Sequence, residues 1–190
     1  VIFMPHIAHK DQDGNRLQSV AAHLRGTAEL AAGFAAAFGA EDEGRRCGML
    51  HDIGKYSDAF QRRINGSPER VDHSTAGAWE AARLKDACAA FCIAGHHGGL
   101  PDGGTEMDPP DGTTLHSRLN RAERGGIEDF GAFRREVDIP AASPPPALAG
   151  SASEALFFIR MLYSCLVDAD YLDTESFMRG GDPGRSGFPP

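Results

Sequence analysis

Long hydrophobic runs are missing from this sequence. The longest apolar stretch, residues 156–167, is interrupted by Arg160, whereas a helix that crosses a bilayer needs about 20 predominantly apolar residues. The first residues also lack a basic segment followed by an apolar run, which is the pattern of a secretory signal. These absences argue against a membrane protein and predict a cytoplasmic location.

Cysteine is scarce, and its spacing indicates no paired site. The chain has four cysteines, and none of them forms a Cys-x-x-Cys pair: Cys47, Cys88, Cys92 and Cys165. Because thiols stay reduced in the cytoplasm, we expect four buried thiols that act as small apolar residues.

Positive charge is in deficit. Lys and Arg number 19 against 27 Asp and Glu, which gives a formal net charge of -8. A protein that binds nucleic acid over its whole surface would be basic, so this class is disfavoured. An enzyme that holds phosphate through bound cations is not excluded. A phosphate-binding Gly-x-x-x-x-Gly-Lys-Ser/Thr segment is also missing, so we expect no ATP hydrolysis by this chain.

Strand-like alternation of polar and apolar residues is lacking as well, and apolar residues recur instead at helical spacing. Residues 98–113 are rich in Gly, Pro and Asp and predict a loop, and the Pro-rich residues 140–150 predict a connection. The fold class that follows is an all-α, compact irregular helical bundle. The predicted helices cover residues 17–38, 42–53, 59–64, 74–83, 85–94, 114–124, 127–137 and 153–178.

The length of 190 residues suits one domain with a proper core. We assign residues 1–179 to this domain and the Gly- and Pro-rich residues 180–190 to a C-terminal tail or linker. A start at Val1 and a loose tail predict a domain that belongs to a longer chain.

What the sequence does contain is a series of histidine clusters. Five of its eight histidines occur in short segments, and an Asp168-Ala-Asp170 cluster follows: His23, His51, His73, His96 and His97. Within His51-Asp52-Ile-Gly-Lys55, the carboxylate of Asp52 has two oxygens and can bridge two cations, which an imidazole cannot do. Lys55 falls on the same helical face as His51 and can offer charge to a phosphate or a leaving oxygen.

The surroundings of these segments add detail. Gly54 leaves room for backbone or substrate to approach. His73 follows Asp72, and either this carboxylate or a backbone carbonyl is expected to hold its second ring nitrogen. The other histidines are expected to be surface or core residues, although His9 or His116 could touch substrate.

Five segments together resemble one family. They are His23-Leu-Arg-Gly-Thr-Ala28, His51-Asp-Ile-Gly-Lys55, Asp72-His-Ser74, Gly95-His-His-Gly98 and Leu166-Val-Asp-Ala-Asp-Tyr-Leu-Asp-Thr-Glu175. The second segment matches the HD motif of the HD phosphohydrolase superfamily. The whole set, from about residue 17 to residue 175, resembles the HD nuclease domain of the CRISPR type I helicase-nuclease, and the last segment looks most like subtype I-C.

This resemblance implies a centre of two divalent metal ions, which could be Mn, Fe, Co, Ni, Mg or Zn. It places Asp52 and Lys55 in catalytic positions. The implied ligands of the first ion are His23, His51, Asp52 and a distal Asp, and those of the second are Asp52, His73, His96 and His97. Asp170 matches the distal position best. Asp168, about 200° away around a helix, is the alternative, and Asp173 and Glu175 are expected to be a solvated helix end.

The implied activity is endonuclease or exonuclease cleavage of single-stranded DNA in antiviral defence. The implied partners are single-stranded DNA, a helicase domain or chain of the same CRISPR system, and the RNA-guided surveillance complex. Two divalent cations against two carboxylates leave a locally positive centre, which explains how an acidic protein could bind a phosphodiester.

Residues 98–113 form a candidate gate or an ordinary connection. Arg118, Arg121 and Arg124 either track phosphates or form a solvated helix face.

Two other functions remain open. An HD phosphohydrolase acting on nucleotides or a nucleotide second messenger would share His51 and Asp52 but would need a closed pocket for one base. A non-catalytic binding or scaffold module would keep the fold without the metal.

Overall fold

The structure is a computed structural model that describes residues 5–141 and 151–181. The regular secondary structure of the described part is helical apart from one short hairpin, which confirms the predicted all-α bundle. In chain order its strands and α-helices are β1 (Ile7–Lys10), β2 (Leu17–Ser19), α1 (Val20–Ala35), α2 (Glu41–Leu50), α3 (Asp58–Ile64), α4 (Ser74–Arg83), α5 (Ala87–Gly95), α6 (Leu115–Glu123) and α7 (Ala152–Arg179). Three short 3-10 helices cover Ala36–Phe38, Ile53–Tyr56 and Gly131–Arg135.

The core lies where α1, α2, α5 and α7 pack together. Small residues let α1 and α2 approach closely, and a Cβ added at Gly48 would collide with the backbone of Ala28. A larger side chain at this crossing would therefore push the two helices apart. The largest apolar side chains that are fully buried are Leu24, Leu50, Ile53, Ile93, Leu162 and Leu166.

The N-terminal hairpin corrects the expectation that the chain has no strands. β1 and β2 pair antiparallel, and Ser19 accepts a hydrogen bond from the backbone of Ala22 at 3.1 Å, so that α1 begins at residue 20 and not at 17. Strands of four and three residues are too short to show a clear alternation. The side chain of Gln61 on α3 anchors the hairpin, since it exchanges two hydrogen bonds of 3.0 Å with the backbone of Ile7.

The predicted helix at 127–137 is also wrong, because only the 3-10 helix Gly131–Arg135 forms there. Gly125 adopts a positive φ of 73°, and the side chain of Asp129 accepts a 2.8 Å hydrogen bond from the backbone of Gly131. Both features favour a turn over a continuous α-helix.

The remaining helices lie close to their predicted positions. α4 has the predicted bounds, and Ser151 caps α7 through a 3.2 Å hydrogen bond from the backbone of Glu154. α5 begins two residues later than predicted, because Lys85 has a positive φ of 61° and Asp86 caps the helix. Residues 98–113 contain no helix or strand, as predicted. Residues 142–150 and 182–190, on which the predicted connection and tail largely fall, lie outside the described residues.

Two predictions from composition can be compared with the described residues. No helix in the described part of the chain is long and apolar enough to cross a membrane. All four cysteines are described and are free thiols, but the expectation that all four are buried is wrong for Cys88, which is partly exposed.

Candidate metal centre

Five structural elements bring the predicted ligands together. His23 lies on α1, His73 directly precedes α4, and Asp170 lies on α7. His51 follows the last residue of α2, and the backbone of Asp52 leaves the helical region with φ of -118°. The HD pair therefore lies at a bend after the helix, where both side chains can turn inward. His96 and His97 likewise follow the end of α5.

The first ligand group joins His23, His51, Asp52 and Asp170. His23 Nε2 lies 3.3 Å from Asp52 Oδ2 and 3.2 Å from Asp170 Oδ1, and His51 Nε2 lies 3.4 Å from the same oxygen of Asp52. Both histidine side chains and Asp52 are fully buried.

The second ligand group joins Asp52, His73, His96 and His97. Asp52 uses its other oxygen here, because Oδ1 lies 3.4 Å from the Nε2 atoms of both His73 and His96. His73 Nε2 lies 2.6 Å from His97 Nε2. The structure thus aims one oxygen of a single carboxylate at each group.

The geometry of both groups fits divalent cations. Ligand atoms about 2.1 Å from a cation lie roughly 3.0–3.4 Å from one another, and most of the separations above fall in or near that range. Asp52 Oδ1 and His96 Nε2 are buried without a hydrogen-bond partner among the described residues. Because burying unpaired polar atoms is costly, these atoms fit a site that could hold a metal ion.

The second ring nitrogens of three of the candidate ligand histidines support the same conclusion. His51 Nδ1 donates to Gly48 O at 2.8 Å, and His96 Nδ1 donates to Ile93 O at 2.7 Å. His23 Nδ1 donates to the carboxylate of Asp173 at 2.7 Å. Such bonds hold a proton on Nδ1, so that Nε2 is the nitrogen that a metal ion could bind once its own proton has left.

His73 resolves an alternative left open by the sequence. Its Nδ1 faces Val71 O at 3.4 Å, so a backbone carbonyl and not Asp72 lies beside this nitrogen. The side chain of Asp72 instead accepts a hydrogen bond from the backbone of Thr75 at the start of α4 and pairs with Arg121 at 2.7 Å.

The distal acidic residues differ sharply in position. Asp170 reaches the first ligand group, whereas Asp168 is exposed and belongs to neither group. The expectation that Asp173 and Glu175 form a solvated helix end is wrong. Only 14% of the Asp173 side chain is exposed and it holds His23, while Glu175 is 10% exposed and pairs with Arg179. The signal for Asp173 was its spacing, since it lies three residues after Asp170 and therefore on the same helical face.

Lys55 lies beside Asp52. The sequence predicted that an α-helix would place Lys55 on the same face as His51, but no α-helix continues to this residue. It belongs to the 3-10 helix Ile53–Tyr56, and its Nζ reaches Asp52 Oδ2 at 2.6 Å. Gly54 allows this helix to pass close to the backbone of His73, with which an added Cβ would collide. Of the two possibilities expected from the sequence, backbone or substrate, it is the backbone of His73 that fills the space left by Gly54.

A hydrogen-bonded chain extends from Lys55 into the hairpin. Lys55 Nζ donates to His9 Nε2 at 3.1 Å, and His9 Nδ1 donates to Gln18 Oε1 at 2.8 Å. Gln18 Nε2 then donates to Asp173 at 2.8 Å, on the oxygen that also accepts from His23. His9 therefore belongs to the surroundings of the site. His116 and His6 are in neither ligand group, and His6 bonds to Glu136.

The electrostatics show how strongly the site requires positive charge. Burial lowers the pKa of His23, but hydrogen bonds to Asp170 and Asp173 outweigh it and raise this pKa to about 9. Burial also opposes protonation of His51, yet the charge of Asp52 raises its pKa to about 10. The pKa of Asp52 is lowered well below its usual value, because Lys55 and His51 outweigh its burial.

The candidate gate, residues 98–113, and the arginines at 118 and 121 lie around a cavity next to His97. Residues 98–113 and α6 border a cavity of about 380 Å³ that His97 also lines. Arg118 donates to Ala94 O at 2.9 Å and Arg121 binds Asp72, so both guanidinium groups brace this wall. Arg124 is exposed.

An all-α fold whose bend after one helix presents a His-Asp pair to further histidines defines a metal-dependent phosphohydrolase. A sequence model of the HD domain family matches residues 20–124, more than half of the chain. The chain therefore belongs to the HD domain family. No curated protein sequence matches the chain. The matched segment includes every predicted histidine ligand and Asp52, and it ends before Asp170.

Proposed function

We propose that this chain is a metal-dependent nuclease that hydrolyses phosphodiester bonds of single-stranded DNA in CRISPR antiviral defence. The observation that carries the proposal is the position of Asp52, whose two oxygens face two separate histidine groups. A carboxylate shared in this way is typical of centres with two metal ions, which several nucleases and phosphatases use.

The residues of the chain have distinct roles in this proposal. Divalent cations held by the two groups would supply Lewis acidity and acidify a water at neutral pH. Asp52 stays ionised because its pKa is depressed by Lys55 and His51 despite its burial. Lys55 contributes a fixed positive charge 2.6 Å from Asp52, where it can stabilise charge on a phosphate or leaving oxygen.

The shape of the site favours a strand as substrate over a free nucleotide. His97 is exposed and lines two cavities, one bordered by β1 and α3 and the other by α6 and residues 111–113. A pocket for one base would be closed around it, whereas this site is open on both sides of His97. Duplex DNA is too wide and stiff to enter a helical bundle, and single strands can be drawn in.

The CRISPR assignment rests on the sequence resemblance and extends to the domain and its partners. Residues 1–179 would be the nuclease domain and residues 180–190 a tail or linker. Because the chain has no phosphate-binding loop, a helicase domain or chain of the same system would supply the motor. That helicase, recruited by the RNA-guided surveillance complex, would deliver single-stranded DNA to the site.

Cleavage of circular single-stranded DNA tests the proposal. Metal-stripped protein is incubated with the circle and Mn, Co, Ni, Mg or Zn in turn, beside Asp52→Ala and the control Asp168→Asn. We expect metal-dependent opening of the circle by the wild type and by Asp168→Asn, and none by Asp52→Ala. Turnover of mononucleotides with no cutting of the circle under any metal would refute the nuclease and support the nucleotide phosphohydrolase.

A further inference from the structure

A cavity of about 580 Å³ opens directly beside the second ligand group. His73 and His97 line one side of it, and residues of β1, α3 and the end of α7 form most of the rest, together with Lys55 and Ser67. Its volume falls in the range of ligand sites, roughly 300–1,000 Å³. The metal site therefore adjoins a space large enough for a further part of a substrate.

The charge of this cavity contrasts with that of the chain. None of the described residues that line it is acidic, although the chain carries a net charge of -8. Lys10 and Arg63 both line it, and each is hydrogen-bonded to a neutral oxygen. Lys10 Nζ donates to Asn65 Oδ1, and Arg63 Nη1 donates to Glu69 O, both at 2.7 Å. Because neither side chain is paired with a carboxylate in these bonds, both are available to bind an anionic ligand.

The rest of the cavity suits an apolar or aromatic group. Phe60 and Ile64 form an apolar side, and the ring of Phe60 packs against that of His73 with centroids 5.3 Å apart. The walls are also held in place before any ligand binds. Gln61 links β1 to α3, and it also donates to Lys55 O at 2.8 Å. Such a rigid site loses little entropy on binding.

We propose that this cavity is the subsite for a nucleotide that flanks the scissile phosphate, with Lys10 and Arg63 contacting the neighbouring phosphate. The inference rests on the proposed nuclease function and specifies its substrate as a strand and not a monomer. Two cations beside an apolar wall match the phosphate and the sugar-base face of one nucleotide in a single strand.

Binding of a fluorescent dT12 strand to metal-free protein tests this subsite without any cleavage. The variants are Lys10→Gln, Arg63→Gln and their combination, with Lys85→Gln as the control. Lys85 is exposed between α4 and α5, and these helices start and end at the metal ligands, so it lies at their far ends. Fluorescence anisotropy is measured over a range of salt, and unfolding midpoints confirm that each variant is folded.

We expect each single variant to weaken dT12 binding by about 5-fold to 10-fold and to reduce the salt slope by about 0.7 per cation removed. Lys85→Gln should bind like the wild type. Wild-type affinity of the double variant would overturn the subsite. The affinity of free dTMP is measured in the same proteins by competition with dT12. A loss of dTMP affinity in the variants as large as their loss of dT12 affinity would also overturn the subsite, because the cavity would then hold one free nucleotide. Neither result depends on cleavage, so failure of the nuclease assay is distinguishable from failure of this inference.

Discussion

At the scale of single residues, the candidate metal centre depends on how the negative charge of a buried carboxylate is neutralised. Asp52 is fully buried, and its neighbours are mostly imidazoles that can be neutral or charged. Lys55 supplies one permanent charge at 2.6 Å. The remaining balance must come from protons on histidines or from bound cations, and these two sources compete for the same Nε2 atoms.

Asp170 and Asp168 provide a matched pair of substitutions on one helix. Asp170→Asn should weaken metal binding by about 10-fold or more, because it removes a charged oxygen from the first ligand group. Asp168→Asn should bind metal as the wild type does, since this side chain is exposed. Isothermal titration with Mn would measure both affinities. Equal losses in the two variants would show that the distal ligand has been assigned wrongly.

Asp173 is expected to position His23 without touching the metal. Asp173→Ala should lower metal affinity by about 10-fold to 100-fold, as second-layer partners of ligating histidines do. Asp173→Asn keeps an acceptor for His23 and Gln18 and should lose less. The same titration compares these variants, and Glu175→Gln on the same helix serves as the control. An unchanged affinity in Asp173→Ala would mean that His23 needs no partner at Nδ1.

Protonation of the metal-free centre makes metal binding dependent on pH. With pKa values of about 9 and 10, His23 and His51 are charged at pH 7 in the metal-free protein. A cation can bind their Nε2 atoms only after both protons leave, so binding should release roughly two protons and strengthen from pH 7 to pH 9. Calorimetry in buffers of different ionisation enthalpy counts the protons. Binding that is independent of pH and buffer would contradict this assignment.

The same shifts fix the sign of the effect on stability. Both histidines have a folded pKa above the unfolded value of about 6.5, so protonation stabilises the metal-free fold. This contribution is complete below pH 6.5 and is lost as pH rises through about 9 and 10. The thermal unfolding midpoint of the metal-free protein should therefore decrease as the pH is raised from 7 to 10.

At the scale of elements, the sequence predicted what local chemistry determines. The bounds of α4 followed from helical spacing, although the expected cap at Ser74 is wrong: Ser74 is the first helical residue, and Asp72 accepts the 3.1 Å hydrogen bond from the backbone of Thr75. The ligand histidines followed from their order and from the family resemblance. The hairpin could not be predicted, because β1 and β2 are short and β1 is bonded to Gln61, which lies 54 positions after Ile7. The burial of Asp173 depends equally on a distant partner, since its contact with His23 joins the two ends of the domain.

Gln61 is one of several side chains that tie the hairpin to the helices, and it is the one that bonds to the backbone of β1. Gln61→Ala removes two hydrogen bonds to Ile7 and one to Lys55 O. We expect faster hydrogen exchange at the amides of β1, with little change in α4 and α5, because the variant frees a surface element and leaves the core intact. Native-state exchange detected by mass spectrometry would test this. Unchanged exchange in β1 would show that strand pairing and the other side-chain contacts of the hairpin fix it without Gln61.

At the scale of the whole molecule, a buried ion pair ties the core together. Arg46 on α2 is fully buried and donates to Asp86 at 2.6 Å and to Ala141 O at 2.9 Å. Asp86 also caps α5. A single carboxylate thus connects the two helices that end at the ligand pairs His51-Asp52 and His96-His97.

Asp86→Ala should destabilise the fold by about 3–5 kcal/mol, because it leaves a buried guanidinium without its counter-charge. Glu69→Ala, which breaks the exposed pair with Arg62 at 3.4 Å, should cost less than about 1 kcal/mol. Urea denaturation of both variants measures the difference. Similar losses would show that Arg46 finds other partners when Asp86 is removed.

The order of the ligands along the chain has a consequence for synthesis on the ribosome. The second ligand group is complete once His97 has emerged, whereas the first group waits for Asp170 on α7. Chains are made from the N-terminus, at about 5–20 residues per second. A nascent chain therefore cannot assemble its full set of ligands until its last described helix has been translated, which delays the complete centre until the fold that surrounds it can close.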